Sequence, residues 1–261
     1  MENIQYVWNM IYLGGQMKNK NFIIIVIGQI ISLFGNAIQR FSMSLYLLEF
    51  TGSTATFANI LAISTIPYIL FAPIAGRLSD NINRKKIMVY LDLFCSILIG
   101  GYAFILLKGN DNALIVGTVM FILSICATLY GPAVTASIPQ IVEEEKLTSA
   151  NGIINQVGSI VNFVGPILAG ILYGLLGIKI IVIINAISFF VSAIMELFLD
   201  IPDVARENVS TKNEIAATKE NEKILSMDFI KRSFSDMKES FIYLKNEKKI
   251  VLGIIASYAL C

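Results

Sequence analysis

Histidine is absent from the 261 residues, and with it go the commonest metal ligand and the usual proton carrier near neutral pH. Cysteine is almost absent. Cys95, Cys126 and Cys261 are scattered and form no CxxC pair, so neither a metal site nor a disulfide framework is expected. Charge is also scarce: charged residues are 15% of the chain against 56% hydrophobic, where soluble domains carry about 25% and about 45–50%. No nucleophile stands beside a base, which leaves little support for a membrane-embedded enzyme. What is abundant is long apolar runs. They imply an all-α integral membrane protein lodged in a lipid bilayer, with no cofactor and no nucleic-acid partner. Cys95 and Cys126 fall inside such runs and read as small buried residues.

A bilayer core of about 30 Å needs roughly 20 apolar residues in a helix, because lipid offers no partner for unpaired backbone groups. Six stretches qualify: 22–48, 54–78, 86–107, 113–138, 150–174 and 178–199. Short loops between them force neighbours to run antiparallel. Seventeen of the twenty lysines and arginines fall on one side of these crossings. Lys108 and Lys179 lie on the other, and Arg40 lies within the first span. The positive-inside rule then places both ends in the cytoplasm, and a bacterial cytoplasmic membrane is the expected location. Gly35 and Ala37 give the first span a small-x-small pattern, as in a cleaved signal peptide. Its apolar run continues to Leu48, however, and its removal would leave an odd number of crossings, so an uncleaved span is expected.

The flanks differ from this six-span bundle at 22–199. Residues 1–21 read as a cytoplasmic N-terminus, in which Gly14 and Gly15 ahead of Met17 look like a translated ribosome-binding sequence. Met17 is the expected true start. Residues 200–249 read as a cytoplasmic linker, polar and without apolar periodicity over 204–223. Within it Met227, Ile230, Phe234, Met237, Phe241 and Leu244 form one stripe of an amphipathic helix at about 226–245. Such a helix suits the inner membrane surface or a face of the bundle. The final stretch, "IVLGIIASYALC" at 250–261, gives roughly 18 Å of helix, too short to cross, and reads as the start of a truncated seventh span.

Polar residues inside the spans mark packing or a cavity, since a charge at mid-bilayer costs at least about 2.5–3.5 kcal/mol. The first span carries Gly28, Ser32, Gly35 and Gln39 on one stripe, with Gln29, Asn36 and Arg40 beside it. Arg40 lies roughly 27 Å along the helix from Phe22, placed either to line a cavity or to snorkel outward. The fourth span presents Gly117, Ser124, Thr128, Gly131 and Thr135 on one face. The fifth repeats Asn151, Asn155, Gly158, Asn162, Gly165 and Ala169 at helical spacing. Small residues there permit close helix approach, and the asparagines could bond across the contact. Asp92 and Glu196, embedded near the cytoplasmic ends of their spans, are expected to pair with nearby Arg or Lys, with proton carriage as the alternative. A faint repeat links "PIAGRL" at Pro73–Leu78 with "PILAGIL" at Pro166–Leu172, as a 3+3 inverted repeat would.

The stretch "AGRLSDNINRKK" contains the spacing G-x-L-x-D-x-x-x-R-K: Gly76, Leu78, Asp80, Arg84 and Lys85. It resembles the signature loop between helices 2 and 3 of the major facilitator superfamily. Asn83 stands where that family usually has a second glycine, a position suited to left-handed backbone. "GQIISLFGNAIQRFSMSLYLLEFTGS", "LYGPAVTASIPQIV" and "SANGIINQVGSIVNFVGPILAGIL" are similar to the family's drug- and macrolide-efflux branch. Gly158, Gly165, Pro166 and Gly170 resemble part of its helix-5 antiporter motif, with Ala169 and Val161 where glycines are usual.

The resemblance covers residues 18–261 and implies the N-terminal, six-transmembrane-helix half of a twelve-helix fold. It implies a secondary active exporter of a macrolide or other small amphiphilic drug, working by alternating access against a C-terminal half. A siderophore or other metabolite is the alternative cargo, and a self-pairing six-helix protein or a non-functional truncated remnant is an alternative state. The loop would act as a conformational latch through Gly76, Asp80, Arg84 and Lys85, with Asp80 meeting a helix end of the other half. Asn36, Gln39, Arg40 and Thr128 are the candidates for contact with substrate or coupling ion. Asn36 occupies a place where many proton-coupled relatives have an acid. The arginine many carry in helix 4 has no counterpart here, a charge for which Arg40 could substitute.

Overall fold

The computed structural model describes residues 19–201. The expectations for the N-terminal segment, the linker with its amphipathic helix and the seventh span lie outside these residues, or almost wholly so. Within them the chain forms α1 (Lys20–Thr51), α2 (Thr54–Leu70), α3 (Ala72–Asn81), α4 (Arg84–Lys108), α5 (Ala113–Ile141) and α6 (Leu147–Leu197), with one 3-10 turn at Glu144–Lys146. Their limits follow from local chemistry. Asn19, Ser53, Asn83 and Asn112 each place a side-chain oxygen on a backbone N–H of the first turn that follows, satisfying a donor the helix leaves open. Gly52 and Gly109 end α1 and α4 at φ of 60° and 71°, the left-handed cap that glycine adopts without a Cβ clash.

Asn83 does not take up left-handed backbone. Its φ is −55°, and its side chain accepts from the Lys86 N–H at 3.2 Å. The residue serves the turn as a cap. Its tolerance of positive φ plays no part.

Two spans depart from straight helices. The second is a bent pair, α2 and α3, with a 43° change of direction between them. Pro67 lies in the last turn of α2, where it removes an intrahelical bond and favours the bend, and Pro73 lies in the first turn of α3, where a missing N–H does least damage. Pro166, by contrast, is interior to α6. The two similar stretches, of six and seven residues, therefore sit in different backbone settings.

The other departure is α6, 51 residues long, which as a straight helix would extend about 76 Å. That is more than twice a bilayer core. Gly177 breaks it at φ 71°, ψ 169°, a conformation essentially confined to glycine. The contacts along α1 show that the chain reverses there. In the first arm, 147–176, Gly165 meets Ala37 and Tyr173 meets Glu49, so this arm runs with α1. In the second arm, 178–197, Asn185 meets Gly35 and Ser192 meets Gly28, so that arm runs against it. The bundle thus has six spans: α1, the bent α2–α3 pair, α4, α5 and the two arms of α6.

Two apolar clusters hold the bundle. One gathers Met43, Leu47, Ile99, Val116, Met120 and Val182 toward the Gly177 end. The other gathers Phe22, Ile25, Met88, Ile138, Leu199 and Ile201 at the end bearing the Asp80–Arg84 loop. Between them lies a layer of buried polar groups, among them Gln29, Ser32, Asp92, Ser192 and Glu196.

Candidate functional site

The two polar stripes of α1 face different neighbours. Gly28, Gly35 and Gln39 lie against the second arm of α6. A Cβ at Gly35 would collide with the Asn185 carboxamide, and one at Gly28 would meet Ser192 Oγ at 3.5 Å. Gln39 is fully buried; its carboxamide oxygen accepts from Asn185 Nδ2, and its own nitrogen donates to Met43 Sδ at 3.3 Å. This stripe is a helix-helix contact, with one amide-amide bond across it.

The neighbouring stripe faces open space. Asn36 and Arg40 line a cavity of about 310 Å³ walled by α1, α2, α5 and the first arm of α6. Ser44 of α1, Ser64, Thr65 and Tyr68 of α2, Ser124 of α5 and Asn162 of α6 complete its polar lining. Thr128 is buried and donates back to the Ser124 carbonyl oxygen at 2.7 Å. Of the four cavity candidates, then, Asn36 and Arg40 meet in one place, while Gln39 and Thr128 are spent on internal bonds. The one-residue offset between Gln39 and Arg40 turns the side chain by about 100°, enough to move it from contact to cavity.

The fifth-span pattern divides in a similar way. Gly165 is buried, and a Cβ there would come within 2.9 Å of Ala37 Cβ, so its missing side chain lets this arm approach α1. Pro166 lines the cavity. Gly158 and Gly170 have open space where a Cβ would project. The buried ridge is Val157, Val161, Gly165 and Ala169, while Asn155 and Asn162 are exposed with Ser159 between them. The expected asparagine bonds across a packed interface are absent among the described residues. Val161, standing where a glycine is usual, belongs to the packed side.

In the loop, Arg84 is already engaged within the bundle. Its Nε donates to the Ser79 carbonyl oxygen at 3.0 Å and its Nη1 to that of Ala136 at 2.8 Å, tying the loop to α5. Asp80 is exposed at the end of α3, and Lys85 is half-buried. A Cβ on Gly76 would meet nothing within 4 Å. Arginine and aspartate therefore divide the work, one facing inward and the other outward.

Asp92 and Glu196 are buried, but no lysine or arginine among the described residues bonds either carboxylate. Tyr130 donates to Glu196 Oε1 at 2.6 Å, and Ser192 stands beside Asp92. Periodicity missed this setting because the partners come from α5 and from the second arm of α6. A second cavity, about 110 Å³, borders Gln29, Ser32, Asn36, Asp92 and Tyr130. A polar tyrosine and serines inside apolar runs were the available signal. At the Gly177 end, an open groove of about 700 Å³ is lined by Tyr46, Glu49, Tyr173 and Lys179.

Comparison with known proteins fits this architecture. Over 175 residues the chain is 31% identical to macrolide efflux protein A of Streptococcus pyogenes, covering 67% of this chain and 43% of that protein. It is 29% identical to the multi-drug resistance efflux pump PmrA of Streptococcus pneumoniae over 199 residues, 71% of this chain and 48% of the pump. A crystal structure of a bacterial homologue of the iron transporter ferroportin, outward-facing with soaked iron, superposes with a TM-score of 0.53 at 23% identity. That match covers 67% of this chain and 48% of the other, and it bears on fold alone. The chain spans about half the length of the curated relatives it matches. The six spans thus form the N-terminal half of a known transporter fold, and the match of the Major Facilitator Superfamily model to residues 25–259 makes this chain a member of that family.

Proposed function

We propose that the chain is the N-terminal half of a secondary active exporter that moves a small amphiphilic compound, such as a macrolide, out of the cell by alternating access. The observation that carries this is the cavity on Asn36, Arg40, Ser64 and Asn162, beside which Asn155, Ser159 and Asn162 lie exposed on an otherwise apolar arm. Exposed amides at membrane depth are costly against lipid and suit a water-filled path or a facing protein surface. A volume of about 310 Å³ is at the low end for drug-sized sites, about 300–1,000 Å³. A facing C-terminal half would supply the remaining wall. Macrolide and multidrug efflux relatives support the cargo class.

In this reading both ends of the chain are cytoplasmic, as the basic loops favour, and the membrane is the bacterial cytoplasmic membrane. Asp80, Arg84, Lys85 and Gly76 form the latch, whose charge contacts exist in one state and break in the other. The test is drug accumulation in an efflux-deficient bacterial host expressing the full reading frame that contains this chain. Lower macrolide accumulation, restored by Arg40→Ala or Asn36→Ala, is the expected result. Unchanged accumulation of every drug tried, with the protein present in the membrane, would reject drug export.

A further inference from the structure

The polar layer between the two apolar clusters contains a chamber distinct from the substrate cavity. Asp92 is 3% exposed and Glu196 1%, yet Asp92 Oδ2 and Glu196 Oε2 have no hydrogen-bond partner. Two further groups in the chamber wall, Gln29 Oε1 and Ser32 Oγ, are equally buried and equally unpartnered. Asp92 Oδ2, Gln29 Oε1 and Ser32 Oγ are thus three unsatisfied polar atoms on residues lining one chamber, costly unless something binds there; Glu196 stands behind the chamber wall, bonded to its Tyr130. At about 110 Å³ the chamber has room for roughly three waters and is too small for a drug.

The groups facing the carboxylates can be named element by element. α1 contributes Gln29 and Ser32, both uncharged. α4 contributes Asp92 itself and Cys95, and α5 contributes Cys126 and Tyr130. The second arm of α6 brings Glu196 and Ser192. The Asp92 and Glu196 charges act on one another, and no cation from any of these elements offsets them. Two carboxylates in low dielectric without a counter-cation cannot comfortably both be ionised. Among the described residues no group of three or more His, Cys, Asp or Glu is placed to hold a metal ion, so a proton is the simplest occupant.

We infer that Asp92 and Glu196, joined through Tyr130 and the hydrated chamber, form the proton-carrying site of this transporter. Only an O–H bond forms and breaks. One carboxylate takes the proton of a hydronium ion arriving through the chamber, leaving water, and gives it back to water as hydronium when the site opens to the other side. Asn36 and Leu123 border both this chamber and the substrate cavity, so a proton and a substrate are separated by one residue layer. Asn36, where many proton-coupled relatives have an acid, carries no charge of its own. Here the acids lie behind that residue, on α4 and α6. The inference rests on the exporter reading for its purpose, but its chemistry can be tested without transport.

The experiment is infrared difference spectroscopy of the chain in lipid nanodiscs during a pH titration without sodium. A buried carboxylic-acid carbonyl band that disappears reversibly on alkalinisation is expected, and it should be lost or halved in Asp92→Asn and in Glu196→Gln. Tyr130→Phe keeps both acids and should move the midpoint, a readout that a purely structural tyrosine would not alter. It also serves if the acid variants fail to fold. A band unaffected by all three substitutions, or one whose midpoint follows sodium concentration, overturns the proton assignment. Drug efflux by the full reading frame is scored separately. If the band titrates as described but no drug moves, the exporter reading fails and the proton site stands; if drug moves but the band ignores these residues, the reverse holds.

Discussion

The two arms of α6 come from one apolar stretch, yet they use their polar residues in opposite ways. The second arm buries Asn185, Ser192 and Glu196 against α1 and α5. The first arm leaves Asn155, Ser159 and Asn162 exposed. In a membrane, polar groups bonded across helices hold the bundle together. Polar groups left uncovered at that depth belong to a path or a partner. The contrast separates architecture from function along a single helix, and substitutions should separate them too.

The largest effect is expected on the buried side. Gly35→Leu drives a side chain into the Asn185 carboxamide; overpacking of this kind costs about 1–3 kcal/mol. A lowered melting temperature in detergent, with loss of monodisperse protein, is the expected result, and wild-type melting would show that the contact yields freely. Next is Arg84→Ala, which removes two bonds to the Ser79 and Ala136 carbonyls. With bonds to charged groups worth about 1.5–3 kcal/mol, and partial exposure reducing that, a loss of about 2 kcal/mol is expected in the same assay.

Smaller still is the Gln39–Asn185 pair. A double-mutant cycle with leucine at each position should give coupling near 0.6 kcal/mol and not above about 1.7 kcal/mol, the range for such bonds in membranes. Zero coupling would mean that each amide finds another partner. On the exposed side, Asn162→Ala and Asp80→Asn should leave stability within about 0.5 kcal/mol. Both should nevertheless impair drug efflux by the full reading frame, Asn162 through the cavity and Asp80 through the latch. If either variant lost stability instead, the division between the arms would be misplaced.

Much of the fold was legible in the sequence because hydropathy over 20 residues is a strong signal. The α1, α4 and α5 limits lie within three residues of the expected spans, and the reversal falls at Gly177, between the fifth and sixth. The bend between α2 and α3 was not foreseen, although Pro67 and Pro73 were visible. The site was only partly legible. Periodicity identifies residues that share a face but not the neighbour that face meets, which is why Gln39 and Asn36 could not be told apart. It also assigned arginine or lysine partners to Asp92 and Glu196, whose actual surroundings are a tyrosine, a serine and each other. Those partners are remote in sequence, and only the packing of α4, α5 and α6 brings them together.

The turn at Gly177 has a mechanical consequence. Helix runs up to it and resumes directly after it, so the two arms are joined with no slack. A shift of the Gly177 end of the first arm, which carries Asn162 at the cavity wall, is passed directly to the start of the second arm, the arm that buries Glu196. One residue thus links the arm that borders the Asn36–Arg40 cavity to the arm that carries Glu196.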